Sequence, residues 1–333
     1  MPRLPRSTLA ALIVLALSHA PPAFGYDSGF WSLQLENDYL ADFSDNLYTH
    51  GFEISYAKLQ APAPWLLRLA ELIPFYEHGN IQTVTHSLGQ KIFTPSDISV
   101  ADLIPDDRPY AGWLYVAFAF SNQQEIEPDL YYLTTLELNL GLVGPSSGAE
   151  SVQNFIHDLI NAEQAQGWSH QLNDEPIVGI NSVHKWRLFT TVGSDFEFEI
   201  SPHAVMSLGN AFTYVGGGVM FRWGRGLRND IGTPSIRPSF PGSAYLNRQT
   251  IRNWYLFAGY ESRLVLRNIF LDGNSLSDSH SVSKEPIVGD IQLGFAFHLG
   301  DMRLSFSETL RSREFSTQSG LNPYSAINLT FYY

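Results

Sequence analysis

The sequence contains no cysteine, which excludes disulfides, thiolate metal sites and a cysteine nucleophile together. Basic residues are few: 20 lysines and arginines face 33 aspartates and glutamates, for a net charge of −13. A nucleic-acid partner is not expected, because phosphate binding draws on clustered Lys and Arg. Long hydrophobic runs are also missing, since beyond residue 25 nothing approaches the roughly 18 apolar residues of a membrane helix. Mean hydropathy is only −0.09. That value does not exclude a chain that crosses a membrane with strands, each needing about 9–11 residues with a single apolar face.

What is present starts with an export signal. Arg3 and Arg6 precede the apolar run Leu9 to Leu17, and Ala23-Phe24-Gly25 supplies small residues for cleavage. Residues 1–25 are expected to be a signal peptide and 26–333 one mature domain. Alternation then dominates. Trp31, Leu33 and Leu35 share one parity and Ser32, Gln34, Glu36 and Asp38 the other. The pattern returns with Phe52, Ile54 and Tyr56 against Glu53 and Ser55, with Phe196, Phe198 and Ile200 against Asp195, Glu197 and Glu199, and with Ile291, Leu293, Phe295 and Phe297 against Asp290, Gln292 and His298. The chain closes on Ile327, Leu329, Phe331 and Tyr333 alternating with Asn328 and Thr330. Apolar outward and polar inward is the pattern of a barrel in lipid, whereas a soluble sandwich buries its apolar face against a second sheet.

Twelve such segments are expected, near 29–38, 47–58, 80–93, 110–122, 130–143, 176–192, 195–207, 211–223, 251–272, 283–298, 302–313 and 323–333. The fold class is therefore all-β: a twelve-stranded antiparallel transmembrane β-barrel of the cell outer membrane, with a short α-helix in an extracellular loop. With both termini inside, the connections 39–46, 94–109, 144–175, 208–210, 273–282 and 314–322 face outward. On the other side, Trp65 to Phe75 reads as an amphipathic surface segment and 224–250, with Pro234, Pro238 and Pro241, as an extended loop.

The helix is expected in 144–175. Ser147 and Glu150 have capping-box spacing, and Val152, Phe155, Ile156 and Leu159 repeat at helical intervals towards Gly167. Gln153 and His157 then sit about 40° apart on one face, and Glu163 falls about 20° from Val152, where a carboxylate is costly unless paired or bound to a metal. A straight helix would hold Glu163 about 120° from His157, so the two meet only where the helix ends or bends. From spacing alone a loop plug with a solvated His157 is an equal reading. Hairpin geometry brings Asn37, Asp38 and Thr49 to one patch of the rim, although an Asn-Asp pair at a strand end is more commonly a turn former. Asp38 and Glu163, with the oxygens of Thr49 and Gln153, suit Ca²⁺ better than Zn²⁺, for which His157 is the single nearby histidine. Arg108, in Asp106-Asp107-Arg108-Pro109-Tyr110, either grips a phosphate or pairs with Asp106 or Asp107. His50 and the other histidines receive no role, and a serine esterase of the usual elbow type is not expected.

With these residues in hand, the sequence resembles the outer-membrane lipid A 3′-O-deacylase family over most of its mature length. The resemblance is carried by E-N-D at 36–38, L-Y-T-H-G at 47–51, G-Q-K-I-F-T-P at 89–95, D-R-P-Y-A-G-W at 107–113 and, most specifically, G-P-S-S-G-A-E-S-V-Q-N-F-I-H-D-L-I-N-A-E at 144–163. It implies a site between the barrel wall and the loop helix at the extracellular rim, and calcium-dependent removal of the 3′-linked acyloxyacyl chain of lipid A within lipopolysaccharide. It also places the family's functional residues on Asn37, Asp38, Thr49, Gln153, His157 and Glu163. In the resulting expectation His157 is the general base, Asn37 and Gln153 assist, and Asp38, Thr49 and Glu163 hold the ion in a monomeric barrel. The chain departs from the family in its second outer loop, where a lysine is missing between Ile92 and Tyr110; Lys91 or Arg108 would replace it. Another outer-membrane acyl hydrolase such as a phospholipase, a non-enzymatic channel or adhesin, and a family member that has lost catalysis are the competing readings.

Overall fold

A computed structural model describes residues 29–37, 47–59, 64, 68, 71, 81–232 and 253–333. The expected signal peptide, most of the segment 65–75 and the greater part of the loop 224–250 lie outside the described residues. Twelve strands form one closed antiparallel barrel: β1 (Gly29–Asn37), β2 (Leu47–Leu59), β3 (Ile81–Thr94), β4 (Ala111–Glu127), β5 (Leu130–Val143), β6 (Glu175–Val192), β7 (Phe196–Gly209), β8 (Phe212–Arg225), β9 (Trp254–Asn268), β10 (Ile287–Leu299), β11 (Met302–Arg311) and β12 (Asn322–Tyr332). Each strand pairs with its neighbours in sequence, and β12 returns to β1 with Leu329 opposite Leu33. Closure leaves no sheet edge, so every strand's backbone groups have a partner strand on both sides, as hydrocarbon requires.

The alternation read from the sequence is the alternation of the wall. Glu53, Ser55, Glu199, Asp290, Gln292 and His298 are buried inside, while Ile54, Ile200, Ile291, Leu293 and Phe297 are exposed on the outer face. The lumen is filled. At one end, Phe93 stacks on Phe270 with ring centres 4.0 Å apart, and Trp113, Phe212 and Tyr324 belong to the same cluster. Towards the other end the interior carries ion pairs, with Arg187 and Arg222 on Glu199 and with Arg303 on Asp230, which also accepts a hydrogen bond from His298 Nε2 at 2.9 Å. Buried charges persist there because each is paired and hydrogen-bonded. Asp230 arrives on the segment after β8, which folds into the barrel, where Arg187 donates to the carbonyls of Leu227 (2.9 Å) and Asp230 (2.6 Å). The described beginning of the expected extended loop is thus an inward plug.

Two element boundaries differ from expectation. β9 stops at Asn268, and a single helical turn, Ile269–Asp272, follows it. The Asn268 side chain caps that turn by accepting from the Phe270 amide at 3.1 Å, which swings Phe270 into the lumen instead of continuing the strand. The loop helix α1 spans Ala149–Ile160, shorter than the run to Gly167 that the apolar spacing suggests. All odd-to-even connections lie at the end of the barrel that carries α1, called the helix end below; the termini lie at the other.

Candidate active site

α1 follows β5 through a 3-10 turn, Pro145–Ser147, and starts from Gly148, whose φ of 72° opens the helix in the left-handed region. The expected capping box is therefore not formed. Ser147 lies in the preceding turn and gives its hydroxyl to the Gly144 carbonyl at 2.6 Å, and no side chain caps the helix start. Gly144 to Gly148 also spells G-x-S-x-G, but the Ser146 hydroxyl is donated to Asp174 Oδ2 at 2.6 Å. Both serines are thus committed to loop geometry, unlike a nucleophile elbow. The helix ends where Asn161 adopts φ 60°, an αL terminus in which the Ala162 amide turns back to the His157 carbonyl at 2.9 Å. Glu163 is consequently beyond the helix and exposed, not part of its apolar stripe.

The helix rests on the outer face of the wall, not over the lumen. Asn37, His50, Ile92 and Gly112 follow one another in register across β1, β2, β3 and β4. They continue the outward parity of Leu35, Phe52, Leu88 and Leu114. α1 covers this row at its β3 and β4 end. A Cβ on Gly112 would lie 2.2 Å from both the Ala149 Cβ and the Ser147 Oγ, so the close approach depends on glycine. Gln90, one outward position nearer the barrel middle, donates to the Ser147 carbonyl at 2.8 Å. Ile92 packs with Ala149, Ala165 and Trp168 of the helix loop and with Ile98 and Tyr110 of the loop after β3. Tyr110 tilts against Trp168 at 5.1 Å, and burial pushes its phenol up to about 12, keeping it neutral.

On the wall-facing side of α1 only Ala149, Gln153 and His157 are buried. The turn after Asn161 sets the Glu163 carbonyl against His157 Nδ1. A carbonyl can only accept, so Nδ1 carries the hydrogen and the lone pair of the neutral ring sits on Nε2. His50 stands in the outward row between Asn37 and Ile92, on the wall beside the part that α1 covers. Gln153 is 1% exposed and its Oε1 accepts from Trp168 Nε1 at 2.9 Å. An indole can only donate, so this bond fixes which end of the amide is which. Gln153 Nε2 is then a buried N–H donor with no hydrogen-bond partner.

Gln153 and His157 are buried on the wall-facing side of α1, Glu163 borders them through its backbone, and Asn37 stands in the outward row beside His50. Thr49 is in β2 next to His50, and Asp38 lies outside the described residues. Among the described residues no three His, Asp or Glu groups converge as a metal site. The donor chemistry nevertheless suits a hard cation, because Asn37, Asp38, Thr49 and Glu163 all offer oxygen. Neither cation considered for the missing loop lysine stands in the crevice. Lys91 is buried inside the barrel 3.8 Å from Glu36. Arg108 pairs with Glu314 at 3.2 Å between the rings of Phe93 and Phe315, not with Asp106 or Asp107. His50 is the crevice residue that sequence reasoning passed over; its outward parity beside Asn37 was the available signal.

The family model described as outer membrane protein LpxR matches residues 8–333. The chain belongs to the LpxR family. Among solved structures it is similar to LpxR from Salmonella typhimurium, 19% identical, with a TM-score of 0.75 over 91% of this chain and 100% of that one. That likeness is one of fold: the same closed antiparallel barrel. The beta domain of the Bordetella autotransporter BrkA is 11% identical with a TM-score of 0.45, over 91% of this chain and 98% of its own. No curated protein matches. As an LpxR-family barrel with an apolar outer face, the chain is an integral outer-membrane protein, and the lipid-facing belt is the exposed surface of its strands.

Proposed function

We propose that the crevice between α1 and the wall is the active site of a calcium-dependent ester hydrolase that removes the 3′-linked acyloxyacyl chain of lipid A at the extracellular rim. The observation that carries this reading is the pairing of His157, oriented through Nδ1, with the unpartnered N–H of Gln153 on one buried helix face. A base and an oxyanion donor side by side are what acyl transfer to water needs. His157 Nε2 takes a proton from the attacking water and returns it to the leaving hydroxyl. Gln153 Nε2 hydrogen-bonds the oxygen that becomes negative, and Asn37 presents its amide from the wall. Calcium, held by Asp38, Thr49 and Glu163, would supply a Lewis acid for the ester carbonyl.

Two observations favour this substrate side of the protein. The crevice opens on the outer face of the wall, the surface a membrane lipid reaches, and the lumen is packed with aromatic rings and ion pairs, which disfavours a channel. A phospholipase differs in the lipid that loses its chain. Purified protein in detergent should release the 3′ acyloxyacyl unit from defined lipid A in calcium and fall to background after chelation. Release from phospholipid alone, or release unaffected by chelation, would contradict the substrate or the cofactor respectively.

A further inference from the structure

α1 has three flanks, not two. Taking Val152 as zero and 100° per residue, the wall-facing Ala149, Gln153 and His157 fall at about 60°, 100° and 140°. Val152, Phe155 and Leu159 occupy the adjoining flank at about 0°, 300° and 340°, and Glu150, Ser151, Asn154 and Asp158 fill the remaining arc from about 160° to 260°. The apolar flank is not covered by the described residues: Phe155 is 66% exposed, and Val152 and Leu159 are also exposed. A helix lying along the outer wall of a barrel near its rim has one flank against the wall, one towards the bilayer and one towards water. The three flanks of α1 match those surroundings in chemistry. The apolar flank also continues an established interface, because the wall beside α1 carries exposed Phe52, Leu88 and Leu114 of the lipid-facing belt.

We infer that α1 lies in the membrane interface with Val152, Phe155 and Leu159 against lipid tails, so that the crevice opens to the bilayer and receives acyl chains directly from it. Amphipathic helices of this kind bury the apolar face to the depth of the headgroup and acyl boundary. The absence of cysteine makes the test clean, since a single introduced thiol carries the only label. A nitroxide would be placed through Phe155→Cys, Ser151→Cys on the polar flank and Leu293→Cys in the belt, with each barrel reconstituted in phosphatidylcholine vesicles. Collisions with molecular oxygen and with a water-soluble nickel chelate would be read by power saturation. The inference requires position 155 to match 293, with oxygen favoured over nickel, and 151 to show the reverse. Position 155 behaving like 151 would overturn it, and so would shielding from both collision partners, with spin–spin broadening marking a second copy of the chain as the occupant. The delivery step rests on the ester-hydrolase reading and has its own arm. Phe155→Asp should slow hydrolysis of vesicle-embedded lipid A by about an order of magnitude and leave detergent-dispersed lipid A unaffected. Equal loss on both substrates would refute delivery from the bilayer. A wild-type protein inactive on both would instead refute the hydrolase reading, leaving the labelling result to stand.

Discussion

At the scale of single residues, the chemistry of the crevice depends on two orientations that backbone geometry alone does not set. His157 is turned by a carbonyl six residues later, and Gln153 by an indole fifteen residues later. The Trp168 bond makes a sharp prediction. Trp168→Phe keeps an aromatic ring against Tyr110 but loses the donor, so the Gln153 amide is free to rotate and present oxygen to the developing charge. A group that acts mainly in the transition state affects turnover more than ground-state binding. Steady-state kinetics should show kcat reduced by about 10²-fold, within the range for a lost oxyanion donor, with KM nearly unchanged. A rise in KM at constant kcat would assign Trp168 to substrate binding instead.

At the scale of elements, the site is an assembly of α1, four strand ends and two loops, each held by a different device. Gly112 sets the distance between helix and wall. Gly112→Ala puts a methyl group into the Ala149 and Ser147 contact, an overpacking that costs about 1–3 kcal/mol if the helix stays and is relieved if it lifts away. Because twelve strands close without it, the expected outcome is a barrel with normal heat-modifiable mobility on gels and strongly reduced hydrolysis. Loss of the folded band would show that α1 helps form the barrel itself. The loops after β3 and β11 are joined by Arg108 and Glu314. Burial raises the Glu314 pKa, but Arg108 and Arg311 outweigh it, so the group titrates below its ordinary value. A depressed carboxylate contributes stability that is present above the unfolded-state pKa and is lost as pH falls through the folded one. Amide exchange in 95–110 and 312–321 should therefore be slow at neutral pH and accelerate only in acid, below the ordinary glutamate range. Exchange independent of acid would mean the ion pair does not hold the loops together.

At the scale of the whole molecule, the barrel was legible because its signal is redundant. Period-2 alternation recurs in strand after strand, and lipid outside with polar packing inside forces the same parity around the ring, so Glu53, Glu199 and Asp290 could be placed inside from sequence alone. What was not legible depended on contacts between distant segments. The Asn161 turn ends α1 although the apolar spacing runs on, because an αL cap and a carbonyl-to-imidazole bond are local backbone choices that hydrophobic periodicity does not encode. Arg108 found Glu314, 206 residues away, over the nearer aspartates. His50 joined the crevice through strand register, which a list of histidines does not reveal. The outer-wall position of the helix likewise follows from Gly112, one small residue among many.

If this crevice cleaves lipid A with His157 as its base, the lipid A of a host membrane carries the record. The most direct measurement is mass spectrometry of lipid A from a Gram-negative host that expresses the wild-type chain or His157→Ala, with insertion of both barrels confirmed. The expected result is loss of the 3′-acyloxyacyl mass with the wild type and unmodified lipid A with the variant, a general base contributing about 10²–10⁴-fold. Lipid A left intact by an inserted wild-type barrel, or trimmed equally by His157→Ala, would contradict it.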